Sequence, residues 1–163
     1  MNSSRRTQLG ALLASALWLS GCATPSRQLP PQAALWTGRI AVQIQSQPPQ
    51  SLSAGFELQG SATQGELQLL SPIGSTLAHL NWTPETAKLS QGAHQWSGPS
   101  LDELTTQLAG TPLPITALFD WLAGQATAPT GWQVDLSQWA NGRIQAERQS
   151  PTPVVQLKVV VER

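Results

Sequence analysis

From Trp36 onward the sequence alternates with a period of two, and that alternation commits most of the chain to half-buried β-strand. Trp36, Gly38, Ile40, Val42 and Ile44 fall on one side of such a strand; Thr37, Arg39, Ala41, Gln43 and Gln45 fall on the other. Ser46 to Gln50, with Pro48 and Pro49, breaks the pattern. Leu52, Ala54, Phe56 and Leu58 continue it, with Ser53, Gly55 and Glu57 outside. Gly60 to Thr63 reads as a turn. Gly65–Leu70 is a third strand with Leu67 and Leu69 inward. Thr76–Trp82 is a fourth, with Ala78, Leu80 and Trp82 on one face. Leu89 and His94-Gln95-Trp96 suggest two short strands about a Gln91-Gly92 turn. This spacing predicts an antiparallel meander.

The period then changes. Ser100 is a good helix N-cap, and Glu103 three residues on completes a capping-box pattern. Leu101, Leu104 and Leu108 follow at helical spacing, and Gly110 suits the end. Pro112 and Pro114 separate a second helix, in which Ile115, Leu118, Phe119 and Leu122 lie at i, i+3, i+4 and i+7 before Gly124. That helix carries one acid, Asp120, and no base, so its wide apolar arc must cover something dry. Gly131 to Leu136, Gly142 to Glu147 and Val155 to Val161 return to strands, with Val160 interrupting the outward polar set of the last. The fold class predicted is mainly β with an α-helical lid: one curved antiparallel sheet with helices on its concave face. Its interior is either a filled core or a cavity for an apolar ligand.

The N-terminus carries an address. Arg5 and Arg6 precede an apolar stretch from Leu9 to Leu19, and Leu19-Ser20-Gly21-Cys22 matches a lipobox. The stretch is too short to span a bilayer, which needs about 20 apolar residues. Residues 1–21 are expected to be a removed lipoprotein signal peptide. Cys22, the only cysteine, is then the lipid-attachment site, carrying N-acyl diacylglycerol. Ser4-Arg5-Arg6 faintly resembles a twin-arginine signal, but Thr7-Gln8-Leu9 fits it poorly, which favours the general export route. Ala23 after the cysteine does not resemble the Asp that retains lipoproteins in the inner membrane. The expected location is the periplasmic face of the outer membrane. Residues 22–34, with Pro25, Pro30 and Pro31, read as a lipidated, flexible tether, and residues 35–163 as one folded domain.

Little points to catalysis. The full chain has nine basic and nine acidic residues, and loss of Arg5 and Arg6 leaves a net −2, which is no nucleic-acid footprint. With one cysteine, no intramolecular disulfide forms. His79 and His94 sit on different predicted strands, and no metal-binding spacing or Gly-x-Ser-x-Gly elbow occurs. Asp102 and Glu103 are explained by the first turn of a helix. Scattered carboxylates brought together by folding, as in a glycosidase, are the remaining enzyme reading.

Apolar chemistry is better represented. Trp36, Trp82, Trp96, Trp121, Trp132 and Trp139 remain after the leader, tyrosine is absent, and Phe56 and Phe119 are the only phenylalanines. Tryptophan fills cores, lines apolar pockets and sits at membrane interfaces. In the turn between the third and fourth strands, Pro72-Ile73-Gly74 places an isoleucine where turn chemistry favours a polar residue. Either Ile73 folds back on the sheet edge, or it is an apolar finger pointing outward. The inward strand and lid residues that would line a cavity are Ile40, Val42, Phe56, Leu58, Leu67, Leu69, Leu80, Trp82, Trp96, Leu118, Trp121 and Leu122.

Trp36-x-Gly38-Arg39-Ile40-Ala41-Val42, Ser53-Ala54-x-Phe56, Gly65-Glu66-Leu67-x-Leu69 and Ser71-Pro72-Ile73-Gly74 resemble the outer-membrane lipoprotein receptor LolB family. So do Leu113-Pro114, Leu118-x-x-Trp121-Leu122-x-Gly124 and Gly131-Trp132, in the same order along the chain. The chain looks short between Gly124 and Gly131, and it stops within a strand pattern where relatives are expected to run a few residues further. The resemblance implies an unclosed antiparallel β-barrel, a LolA/LolB-like half barrel, with helices as a lid over an apolar cavity. It implies a monomeric, non-enzymatic receptor without a cofactor that accepts acylated lipoproteins from the periplasmic carrier LolA. The receptor would place them in outer-membrane phospholipid. It also implies that Pro72, Ile73 and Gly74 form a membrane-insertion loop. The rival expectation is a structural or envelope-assembly lipoprotein with a filled core.

Overall fold

The computed structural model describes residues 34–162. The alternating first half forms six successive strands: β1 (Ala34–Ile44), β2 (Gln50–Gly60), β3 (Gly65–Leu70), β4 (Thr76–Trp82), β5 (Ala87–Gln91) and β6 (His94–Gly98). Two helices follow, α1 (Leu101–Ala109) and α2 (Ile115–Leu122). The chain then returns through β7 (Trp132–Asp135), a single 3-10 turn (Trp139–Asn141), β8 (Arg143–Arg148) and β9 (Val155–Val161). The 3-10 turn has no counterpart in the periodicity of the sequence.

All the strands pair antiparallel in one sheet of order β6-β5-β4-β3-β2-β1-β9-β8-β7. The late strands therefore join the free side of β1, and β6 and β7 are left as the two edges. The sheet is an open half barrel, as expected. The β1–β9 junction depends on Gly38: a Cβ there would run into the carbonyl oxygen of Val160. The glycine of the Trp-x-Gly-Arg run is thus a close-approach position.

The helices cover the inner face. Ser100 Oγ accepts a 3.3 Å hydrogen bond from the Glu103 N–H at the start of α1. Gly110 ends it at φ 77°, its N–H donating to the Thr106 carbonyl at 2.8 Å. In α2, Ile115, Ala117, Leu118, Trp121 and Leu122 are buried. Trp82 of β4 meets Phe119 edge-on at 6.1 Å, and Trp121 meets Trp132 of β7 at 6.3 Å, so α2 spans both halves of the sheet. The indole N–H of Trp121 donates to the Thr127 carbonyl (2.7 Å), and that of Trp139 to the Leu122 carbonyl (3.1 Å). The first bond holds the short Gly124–Gly131 connection against the lid, and the second ties the 3-10 turn to the end of α2.

Candidate functional site

Two-residue alternation puts Ile40, Val42, Phe56, Leu58, Leu67, Leu69, Leu80 and Trp82 on the inner face, and helical spacing brings Leu118, Trp121 and Leu122 down onto them. All eleven belong to one buried cluster. Trp96, on edge strand β6, is only half-buried: it packs against that cluster with one side and stacks on the exposed His94 with the other, at 5.7 Å. Leu58 and Trp121 are 0% exposed. A side chain bordering a water-sized void keeps some accessible surface, so these two border none. The lid is shut, and the residues expected to line a cavity are packed against one another.

The packing is looser beside the end of α1. A half-enclosed cleft of about 350 Å³ lies between the C-terminal turn of α1 and the β1–β2 hairpin. It is lined by Val42, Ile44, Gln50, Ser51, Leu52 and the segment Gln107 to Gly110. Val42 and Ile44 belong to the buried core, so the cleft runs from solvent to the edge of the packed residues beside α1. Its lining is apolar or neutral, without a charged side chain. The left-handed Gly110 forms part of the rim. A Cβ there would come within 2.8 Å of Gln50 Oε1, the movable end of a flexible side chain, so it is the left-handed φ of 77° that favours glycine here.

The β3–β4 turn lies toward the same end of the sheet. Gly60 pairs with Gly65 and Gly55 with Leu70, so the chain beyond Leu70 runs toward the Gln50 end of β2. The turn is held by hydrogen bonds from Ser71 N–H to the Ser75 carbonyl (2.8 Å) and Gly74 N–H to the Ser71 carbonyl (2.9 Å). The Ser75 N–H donates to Ser71 Oγ at 3.1 Å. Gly74 takes φ 81°, a left-handed angle that favours glycine. Ile73 at the apex is 88% exposed, so it points outward and does not fold back on the sheet edge. Leu77, just past the register shift at Leu69/Leu70, is 40% exposed and adds apolar surface to the same hairpin. Leu77 takes the outward face that alternation with Ala78, Leu80 and Trp82 gives it, and the sequence reading did not single it out.

A second omission is Arg148. It follows Ile144 and Ala146 in the inward phase of β8 and is 6% exposed. Its place in an apolar alternation was the signal. Nη2 donates to Thr111 Oγ1 at 2.7 Å, and the guanidinium lies 5.8 Å from the Trp132 ring centre. Elsewhere, His79 and Glu66 meet at 3.3 Å on the outer face, far from forming a catalytic constellation. Among the described residues no group of three or more His, Cys, Asp or Glu could hold a metal ion.

The family model described as outer membrane lipoprotein LolB matches residues 35–151. The chain is 35% identical to the outer-membrane lipoprotein LolB of Cupriavidus metallidurans over 158 residues, covering 92% of this chain and 76% of that protein. It is 30% identical to the protein of the same name from Cupriavidus necator, covering 91% of this chain and 88% of that protein. To the LolB of Chromobacterium violaceum it is 28% identical, over 69% of this chain and 66% of that protein.

The chain belongs to the LolB family.

Membership makes it an outer-membrane lipoprotein and not an enzyme, and the LolB assignment brings no cofactor with it. The open half barrel with two covering helices is the LolB architecture expected from the resemblance. Cys22, the expected signal peptide 1–21 and almost all of the expected tether 22–34 lie outside the described residues.

Proposed function

We propose that this LolB-family chain accepts acylated lipoproteins from the periplasmic carrier LolA under its helical lid and delivers them to outer-membrane phospholipid. It does so as a monomer tethered by a lipid on Cys22. The observation that carries this reading is the uncharged cleft between α1 and the β1–β2 hairpin, which runs to the edge of the packed residues beside α1. Lipid-modified cysteine needs such a route. Each exposed methylene of an acyl chain costs about 0.8 kcal/mol in water, so the chains must pass from one apolar shelter to another. No nucleotide is required: a preference of about 1.4 kcal/mol per tenfold in affinity drives transfer from carrier to receptor. Because the interior is packed, acceptance requires α1 and α2 to lift from the sheet. Ile40, Val42, Phe56, Leu58, Leu67, Leu69, Leu80, Trp82, Trp96, Leu118, Trp121 and Leu122 then become the acyl-chain lining. Exposed Ile73, with Pro72 and Gly74, serves as the membrane-insertion loop on the side facing the bilayer.

The packed interior also favours a second reading, a filled-core lipoprotein that binds no lipid. A fluorescent fatty-acid probe separates the two. Uptake by the full chain, reversed by a synthetic lipopeptide, supports the receptor; no uptake at any concentration supports the filled core.

A further inference from the structure

We infer that Arg148 is a binding residue for the glyceryl ester carbonyls of the cargo's diacylglyceryl cysteine; this rests on the acyl-accepting reading above. The inference starts from a missing partner. Arg148 is more than nine-tenths buried, yet no carboxylate among the described residues lies within 4 Å of it. Its Nη2 is satisfied by a neutral hydroxyl, Thr111 Oγ1 at 2.7 Å. Its Nε–H is buried with no protein acceptor among the described residues. A buried donor left unpaired is costly, and one on a cation more so. Such a group calls for an explanation, and an acceptor brought by a ligand supplies one.

The register says where that acceptor arrives. Trp132, Arg148, Val155, Ile44 and Gln50 form one cross-strand row through β7, β8, β9, β1 and β2. Ile44 and Gln50 line the cleft. Arg148 lies two strands away on the same row, or about 10 Å at the usual strand spacing. Thr111, the hydroxyl it holds, directly follows Gly110 at the cleft rim. Thr111 also begins the connection between the two lid helices, and the next turn is tied back to α1 by Leu113 N–H donating to Thr105 Oγ1 at 3.0 Å. Movement of the lid therefore moves Thr111 relative to Arg148 and opens the cleft toward the guanidinium.

The cleft also selects the acceptor. Its lining offers no charge to accompany a phosphate or carboxylate inward. An ester carbonyl is neutral and crosses such a lining cheaply, yet it accepts a charge-assisted hydrogen bond. With its esters held at Arg148, a diacylglyceryl group would extend its chains under α2 and leave the cysteine and the following polypeptide at the rim.

The test uses the full chain in dodecyl maltoside, a detergent without an ester. Two cysteine peptides are compared, one carrying diacylglyceryl and one its dialkyl ether analogue, which lacks only the carbonyls. Wild type is expected to bind the ester about tenfold tighter, equivalent to about 1.4 kcal/mol. Arg148→Met should lose that preference while binding the ether form unchanged. In wild type the Arg148 Nε–H resonance should shift with the ester and stay in place with the ether. Equal wild-type affinities for the two peptides, a preference that survives Arg148→Met, or an unmoved resonance overturns the inference while leaving acyl acceptance standing. Failure of wild type to bind either peptide overturns acyl acceptance itself and the ester site with it. The wild-type arms keep the question decidable if Arg148→Met does not fold. Diacyl and dialkyl phosphatidylethanolamine form a second pair: an ester preference seen only there overturns the assignment to cargo.

Discussion

Ile73 contributes little to the fold: it is 88% exposed at the apex of a turn whose hydrogen bonds are made by serine and glycine. Burying one isoleucine yields roughly 1.5–3 kcal/mol, too little to anchor a protein but enough to bias the β3–β4 hairpin toward a bilayer during release. Ile73→Glu is therefore expected to leave the melting temperature unchanged, to keep uptake from the carrier, and to stall transfer into liposomes. Ile73→Leu should be nearly neutral. Following labelled lipoprotein from carrier to receptor and then from receptor to liposomes checks both steps; a block at the first step would sink the finger role. The residue scale also contains the plainest structural test. Ser100→Ala removes the acceptor of the Glu103 N–H and should lower stability by about 1 kcal/mol, read as a shifted denaturant midpoint.

At the scale of elements, α2 is the lid proper, and its buried arc sets how tightly the lid is held. Leu118→Ala deletes side-chain volume from the center of that arc. Its expected cost is about 2–5 kcal/mol of global stability. If the lid must lift for acceptance, the same substitution should speed uptake of a fluorescent acyl probe in molecules that remain folded, because fewer contacts are broken on opening. In a filled-core protein it would lower stability and leave uptake absent. The cleft allows the opposite change. Leu108 lines it from α1 and is only partly buried, so Leu108→Trp should fill it with little change in melting temperature and slow acyl uptake. Uptake at the wild-type rate would show that cargo enters elsewhere. The helices themselves were legible in the sequence, since Ser100, Gly110 and the spacing of Ile115, Leu118, Phe119 and Leu122 are local signals. The bulge at Leu69/Leu70 was not, because a register shift depends on the partner strand.

At the scale of the whole molecule, the lipobox predicts that the half barrel is held to the membrane by a tether beginning at Cys22. Cys22→Ser is expected to yield unprocessed or soluble protein, checked by membrane fractionation. Recovery of that variant as mature protein in the outer membrane would refute anchoring by the cysteine. The sequence alone determined the order of strands and helices, most of the inward set of side chains and the place of Ile73 in a tight turn. Each of these follows from local periodicity and turn chemistry, which act over a few residues. Only the tertiary structure decided that β9 pairs with β1, that β6 and β7 remain as edges, and that the interior is closed. These depend on which strand faces meet across more than a hundred residues, and on how side-chain volumes fill the space between sheet and lid. The same holds for Arg148. Its inward phase is visible in the sequence, but the absence of a carboxylate partner among the described residues appears only once β8 lies beneath the connection between the helices.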